Sequence, residues 1–397
     1  MIEYLETAPA ALLNWFLALL SSLGVPAWIV AIVSALIIIG VLIGVFLTLF
    51  ALTSVMERKI LARAQNRYGP NRVGPFGLFQ PVADGIKMLT KEDLVPRSAD
   101  KVVHFLAPVV MLIPALMVLA ILPYGRDMVP VNIDAGILYF FALGAATEVA
   151  VFMAGWSSNN KYSVLGAMRA IAQMISYELP LVMAAIVAAM VAGSLSPQAI
   201  VEAQGGFALG FVPRWFVFTP WGFAACIIFY IGALAESNRS PFDLPEGESE
   251  IVAGHLTEYS GFKYALFFMA EYVGMFAICG LMVTLFLGGW QEPLPILTVV
   301  PSWVWFFAKV CFVAFTMIWV RATVPRLRMD HLMAFAWKFL LPMSFAAFIA
   351  AACWHFAGRG AAGWLVSLII VAVPYALLGH GFTRRFALSR RTYQFSQ

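Results

Sequence analysis

Long apolar runs alternate with shorter polar segments along most of the chain. A helix needs roughly 20 apolar residues to cross a bilayer core about 30 Å thick, and nine runs approach or exceed this length. They are residues 27–55, 102–123, 136–156, 177–195, 215–235, 262–288, 302–320, 337–357 and 361–381. The pattern predicts an all-α, polytopic transmembrane helix bundle. Its first helix is longer than the bilayer requires, so it either tilts or extends beyond the membrane.

The composition supports a lipid environment. Apolar residues make up 62% of the 397-residue chain and charged residues only 12%, which lies outside the usual balance of soluble domains. A transmembrane barrel would show short segments of alternating hydrophobicity instead of long apolar runs. We therefore set aside both a soluble fold and a barrel.

Positive charge is distributed unequally between the two sides of the predicted bundle. Of the 25 Lys and Arg residues, 21 fall on one side, three fall on the other, and Lys309 lies within a crossing. Because Lys and Arg favour the cytoplasm in short loops, the N-terminus is expected outside and the C-terminus inside. The long cytoplasmic loops are then 56–101, 236–261 and 321–336, with chemistry expected on that side.

The first of these loops combines cations with carboxylates. Glu57-Arg58-Lys59 is followed by the turn-rich segment 67–75, which has two Gly-Pro steps, and then by Asp84 and Lys87. Glycine permits positive φ and proline fixes φ, so the segment is expected to be rigid. Anchoring to lipid headgroups is one interpretation of the arginines. It does not account for the two carboxylates, which anionic lipid would repel.

The loop after the fifth crossing is acidic, with a single nearby cation, Arg239. Six carboxylates lie between positions 236 and 258, namely Glu236, Asp243, Glu246, Glu248, Glu250 and Glu258. Clustered acids release their protons in coupled steps, so this group is suited to taking up or releasing protons near neutral pH. A solvated acidic loop without a role is the alternative.

Several acids fall within or at the end of predicted crossings. They are Glu148, Glu178, Glu236 and Glu271. An ionisable group in hydrocarbon costs roughly 2.5–3.5 kcal/mol on insertion scales, so such groups normally face the protein interior or a wet cavity. The four acids indicate a path for protons, with neutral or paired structural acids as the alternative. For Glu271 the alternative is strong, because Lys309 is expected at a similar depth and in position to pair with it.

The cysteine and histidine residues do not predict a metal centre. Each of the four cysteines lies in a separate apolar run, and the five histidines are isolated from one another. Metal and Fe–S sites usually need closely spaced ligands. We expect no metal and no cofactor bound by this chain itself.

Taken together, the polar segments resemble the family of the quinone-chamber membrane subunit of respiratory complex I, the proton-pumping NADH:quinone oxidoreductase. The resemblance extends from about Val25 to Pro342, and its motifs occur in the family's order. These are Glu57-Arg58-Lys59, Gln65 to Pro75, Gly155 to Ser163, Gly166 to Arg169, Glu236 to Glu250 around Pro241-Phe242-Asp243, and Arg321 to Asp330.

The resemblance implies a non-autonomous subunit of a redox enzyme, with no catalytic residue in this chain alone. It assigns a quinone chamber to Glu57, Arg58, Arg67, Arg72, Asp84, Lys87 and Phe242. It assigns proton coupling to Glu148, Glu178, Glu236, Asp243, Glu246, Glu248, Glu250, Glu258, Glu271 and Lys309. Quinone would be the substrate, and FMN and Fe–S clusters would belong to partner subunits.

The resemblance also implies partners and a location. The partners are the peripheral Fe–S arm on the cytoplasmic side and the small and antiporter-like membrane subunits, together with lipid and no nucleic acid. The location is a bacterial cytoplasmic membrane. Residues 1–342 form the family domain. Residues 343–397 add the rest of the eighth helix, a ninth crossing and a basic tail, which we expect to bind an accessory subunit or lipid.

Two other classes of function remain as alternatives. An autonomous ion transporter or channel would also place acids in helices, but no internal repeat is visible and the inner loops are large. The membrane subunit of an energy-converting hydrogenase shares the acidic helices and lacks a quinone substrate. The complete motifs at 67–75 and 241–250 favour the quinone enzyme.

Overall fold

The computed structural model describes residues 26–126, 128–208, 210, 212–243, 251–357 and 360–386, together with 17, 21 and 22. Its long helices are α1 (Ala27–Ala64), α3 (Lys101–Val118), α4 (Gly136–Ser157), α5 (Lys161–Ala192), α7 (Pro220–Glu236), α8 (Gly261–Phe286), α9 (Ser302–Thr323), α11 (Leu341–Ala357) and α12 (Ala361–Phe386). Shorter helices are α2 (Gln80–Thr90), α6 (Pro197–Ala203) and α10 (Met329–Phe335). Two antiparallel strands of two residues each, β1 (Phe207–Ala208) and β2 (Val212–Pro213), pair with one another.

The helical membrane bundle is confirmed. Among the described residues, eight helical stretches are long and apolar enough to span a bilayer, and α10 and α11 join through a π-helical turn into one of them. Helix α7 has 17 residues and is shorter. This length lies at the lower end of what a crossing requires, which is about 17 residues. Helix α7 occupies the position of the fifth predicted crossing.

Three predicted boundaries change. Helix α1 continues to Ala64, so Glu57-Arg58-Lys59 lies on a helix and not in a loop. Helix α5 begins at Lys161, because the Asn160 side chain accepts a bond from the Tyr162 amide and caps it. The connection before the eighth crossing shrinks to residues 324–328. In each case a helix continues through polar residues that hydropathy alone assigns to a loop.

Helix α8 is the most buried of the eight spanning stretches. It contacts α1, α3, α7 and α9, and most of its apolar window is inside the protein. Helix α12 instead packs on α11 and α7 at the edge, with an apolar outer surface. Helix α1 is also mostly exposed, and its few buried residues lie in its second half.

The ends of the bundle differ in character. We call the end holding residues 65–100, 237–243, 251–260 and 324–328 the loop side, and the opposite end the far side. On the loop side, the 251–260 segment lies directly against α5, since a Cβ on Gly166 would come within 2.5 Å of the Gly254 Cα. The predicted turn-rich segment 67–75 contains Gly74 at φ 70°, and Gly77 just after it has φ 76°.

Candidate functional site

Glu57 is the centre of a buried ionic cluster on the loop side. Its side chain is 3% exposed. Arg239 donates to Glu57 Oε1 at 2.6 Å, Arg321 donates to the same oxygen, and the Tyr272 hydroxyl donates to Oε2 at 2.6 Å. These four residues, which we call the Glu57 cluster, join α1, the 237–260 connection, α8 and α9. The cluster satisfies both oxygens of a carboxylate that would otherwise be costly to bury.

Arg239 is held as a cation within this cluster. Its guanidinium lies 4.3 Å from the centre of the Tyr272 ring. Burial is the largest influence and acts to lower the pKa of Arg239, but the charge of Glu57, with smaller contributions from Tyr272 and Glu271, together outweighs burial and raises that pKa. The charge of Glu271, the neighbour of Tyr272 on α8, acts in the same direction. Arg239 therefore connects the Glu57 cluster electrostatically with an acid inside the bundle.

A second ionic group lies nearby but is open to solvent. The Arg58 Nη1 donates to Asp84 Oδ2 at 2.6 Å, and Lys87 Nζ lies 3.6 Å from Asp84 Oδ1. Successive helical residues project about 100° apart, so Arg58 leaves α1 in a different direction from Glu57. Partial burial acts to raise the pKa of Asp84, but the bond and charge of Arg58 outweigh it and lower that pKa. This exposed group, Arg58, Asp84 and Lys87, is separate from the Glu57 cluster.

The remaining predicted chamber residues are placed elsewhere. Arg67 bonds Gln65 at 2.8 Å within the 65–74 segment, and Arg72 is exposed on the same segment. Phe242 is only 4% exposed, with its ring centre 5.1 Å from that of Tyr177. The structure therefore brings together Arg58, Asp84 and Lys87 at the surface, whereas Phe242 packs in the protein core.

Three acids of the predicted proton path lie within electrostatic range of one another. Glu148 on α4, Glu178 on α5 and Glu236 at the end of α7 form this group. Glu148 Oε1 and Glu236 Oε2 are buried and have no hydrogen-bond partner among the described residues. Buried carboxyl oxygens normally bond to protein or to water, so these atoms are suited to exchange protons with water in the interior.

A cavity of about 80 Å³ lies inside the bundle beside Glu236, one of these three acids. One water needs about 10–15 Å³ of such space, so the cavity has room for several. Glu236 and Glu271 both line it, together with Thr147, Ser237, Asn238 and apolar side chains. Glu271 is also within electrostatic range of Arg239. A series of interacting charged groups therefore runs from the Glu57 cluster through Glu271 into the bundle.

The expected pairing of Lys309 with Glu271 is wrong. The Lys309 ammonium bonds the carbonyls of Leu287, Gly289 and Gln291 at 2.7–2.9 Å, and it lies 4.0 Å from the Trp215 ring centre. It forms no salt bridge among the described residues. These carbonyls follow the far-side end of α8, whereas Glu271 lies nearer the loop side. The two residues were expected at a similar depth in the membrane. Helices α8 and α9 run in opposite directions, and Lys309 lies near the far-side start of α9 whereas Glu271 lies in the loop-side half of α8.

The acidic loop is described only in part. Glu258 Oε1 accepts a bond from Asn160 Nδ2 at 2.7 Å, which fixes the 251–260 segment to the start of α5. Asp243 lies at the edge of the described segment, and Glu246, Glu248 and Glu250 lie outside the described residues. Among the residues that are described, no group of three His, Cys, Asp or Glu side chains is arranged to hold a metal ion.

Sequence reasoning missed the partners of Glu57. Arg239 was noted only as the cation beside the acidic loop and Arg321 only as part of a motif and of the charge asymmetry, and Tyr272 was one aromatic residue among many. Arg239 is 182 positions from Glu57 and Arg321 is 264 positions away. The available signal was that each is a cation at the loop-side end of a crossing, the same level at which Glu57 follows the first apolar run.

This arrangement defines a polytopic membrane subunit with a buried ion cluster at one end and a series of carboxylates leading into its helices. The profile of the family described as NADH dehydrogenase matches residues 37–352. The chain belongs to this family, as the motifs predicted.

Curated relatives share most of their length with this chain. The H subunit of NADH-quinone oxidoreductase from Dehalococcoides mccartyi strain CBDB1 is 48% identical over 80% of this chain and 85% of its own. The protein of the same description from Geobacillus kaustophilus is 47% identical over 87% of this chain and 95% of its own length. That of Bacillus cytotoxicus is 50% identical over 73% and 84%. The chain is thus of the membrane-subunit type of an oxidoreductase complex, and the transporter and hydrogenase alternatives are not favoured.

Proposed function

We propose that this chain forms the membrane half of a quinone chamber and couples quinone reduction to proton translocation. The observation that carries the proposal is the series of charged groups within electrostatic range of one another, which runs from the Glu57 cluster to Glu271, shares a cavity with Glu236 and ends at Glu148 and Glu178. Quinone is the substrate named by the curated relatives. The loop side then faces the cytoplasm and the peripheral arm, in accord with its excess of Lys and Arg.

The exposed group Arg58, Asp84 and Lys87 supplies polar contacts at the chamber wall. Reduction of a quinone takes up two electrons and two protons, so the reaction changes the charge beside this wall. The electrons come from a partner subunit, as the resemblance to complex I implies. The FMN and Fe–S clusters, like the antiporter-like membrane subunits, belong to those partners.

The Glu57 cluster transmits such a charge change inward. Arg239 interacts with both Glu57 and Glu271, so a shift in the cluster alters the field at Glu271. Glu271 shares its cavity with Glu236, which in turn is within range of Glu148 and Glu178. A change of charge at one end therefore favours proton uptake or release at the other.

The coupling role is tested with Glu148→Gln in the intact complex, assayed in sealed vesicles. We expect NADH-driven acidification to fall severalfold while complex assembly is retained. The matched control is Glu202→Gln, an exposed acid on the far side of the bundle. Full proton translocation by Glu148→Gln would remove this residue from the path.

The quinone role is tested separately with Asp84→Asn. Loss of the Arg58 contact should raise the KM for a short-chain quinone severalfold and leave NADH oxidation by an artificial acceptor unchanged. The control is Asp93→Asn, which breaks the neighbouring 2.8 Å pair with Lys263 on the same side. An equal KM in both variants would contradict the placement of the chamber.

A further inference from the structure

A separate cleft opens at the far side of the bundle, remote from the Glu57 cluster. It lies between the end of α5, the start of α7 and the hairpin formed by α11 and α12. Its volume is about 900 Å³. This falls within the range of about 300–1,000 Å³ that is usual for ligand pockets. Its walls include Arg214, Trp215, Phe218, Trp221, Trp354 and Trp364.

The chemistry of the cleft is aromatic with a single cation. Arg214 is the one charged residue among the described residues that line it, and its side chain is exposed. Trp221 is 1% exposed, and its indole N–H has no acceptor among the described residues. The site therefore offers a guanidinium and an unused N–H donor beside broad apolar surfaces. A ligand that fits must combine acceptor oxygens with a hydrocarbon portion.

The position of the cleft identifies the source of such a ligand. Its walls come from the ends of α5, α6, α7, α11 and α12 and from residues 212–219, which precede α7. These segments lie at the far side, and tryptophan concentrates at the membrane–water interface. Trp364 and Phe218 are 42% and 55% exposed, so the cleft is open toward the surrounding membrane. Phosphate is the anion of that layer, and guanidinium groups bind phosphate through paired, charge-assisted hydrogen bonds.

We propose that this cleft binds one phospholipid, with its phosphate on Arg214 and an acyl chain along Trp354 and Trp364. Both tryptophans lie beyond residue 352, where the family match ends. The segment beyond residue 352 thus completes a cleft whose other walls, including Arg214, lie within the family match, and the lipid fills the space between α12 and α7. This inference does not depend on the proposed quinone chemistry.

The test uses the intact complex in phosphatidylcholine vesicles that contain a trace of phosphatidic acid with a diazirine in its acyl chain. After illumination, labelled peptides are identified by mass spectrometry. We expect labelling near positions 354–364. Arg214→Gln should reduce it about tenfold, as expected when a charged hydrogen bond is removed. Labelling of α1, which is mostly exposed to lipid, serves as the internal reference.

Further probes and variants distinguish recognition of the phosphate from nonspecific labelling of surfaces exposed to lipid. A diazirine diacylglycerol, which lacks phosphate, should label the cleft about tenfold less than the phosphatidic acid probe. Ala203→Trp fills the cleft without changing Arg214 and should also abolish specific labelling. Arg126→Gln, another far-side arginine outside the cleft, should behave as wild type. Equal labelling in wild type and Arg214→Gln, equal labelling by both probes, or no labelling of the cleft would each overturn the proposal.

Discussion

Replacing Glu57 with glutamine should destabilise the loop side far more than breaking the exposed pair nearby. The Glu57 side chain is 3% exposed and that of Arg239 is 8% exposed, so the substitution leaves a buried cation without its acid. Breaking a buried pair in this way costs about 3–5 kcal/mol. Arg321→Gln should cost less, because the Arg321 side chain is 30% exposed and water can solvate what remains.

The consequence is measurable by amide hydrogen exchange on the purified complex. The Arg239 amide donates to the Leu234 carbonyl and the Phe242 amide to the Arg239 carbonyl, so both report opening of the 237–243 segment. If the free energy of opening this segment falls by about 3 kcal/mol, the open state becomes more than a hundredfold more populated. Glu57→Gln should show this acceleration in peptides covering the segment.

The control and a double variant make the reasoning refutable. Asp84→Asn breaks a pair in which Arg58 is 51% exposed, and exposed pairs contribute only about 0–1 kcal/mol. The double variant Glu57→Gln/Arg239→Gln should be less destabilised than the sum of its parts, because it buries no unpaired charge between these two positions. If the amide exchange rate of the 237–243 segment were the same in Glu57→Gln as in Asp84→Asn, the Glu57 cluster would not be what holds the loop side together.

Two other predictions concern side chains outside this cluster. Burial lowers the pKa of His255 from 6.5 to about 4. Between pH 6.5 and 4, His255 is therefore protonated in the unfolded chain but stays neutral in the folded chain. Stability should therefore fall as the pH drops from 6.5 toward 4, and His255→Phe should flatten the pH dependence of thermal inactivation; an unchanged slope would contradict this. Lys309→Met removes three carbonyl contacts and should destabilise the complex by about 2–3 kcal/mol, seen as faster inactivation. The ratio of protons moved to electrons transferred should stay the same, and a reduced ratio would restore Lys309 to the proton path.

Much of the fold was predictable because hydropathy is a local property. A run of about 20 apolar residues must be buried in lipid or protein whatever its neighbours are, and a helix satisfies its own backbone. The crossings, including α12 beyond the family match, followed from this rule. Errors occurred where helices continue through polar residues, as at Lys161 and beyond Met56 in α1, since hydropathy does not register capping or helix contacts.

The candidate site was predictable only as a set of residue types. Motifs marked Glu57, Asp84 and Glu236 as chemically important, yet they did not show that Glu57 is buried while Arg58, its neighbour, is exposed. That difference depends on the rotation of α1 against α8 and α9. Helix rotation is set by packing between segments distant in sequence, and no local pattern encodes it.

The sequence by itself thus determined a polytopic helical membrane subunit, its family and the acids available for coupling. Only the tertiary structure decided which charges meet. It paired Glu57 with Arg239 and Arg321, and it placed Lys309 on far-side carbonyls. The physical reason is that an ion pair needs matching depth and orientation on two helices, and both are properties of the packed bundle.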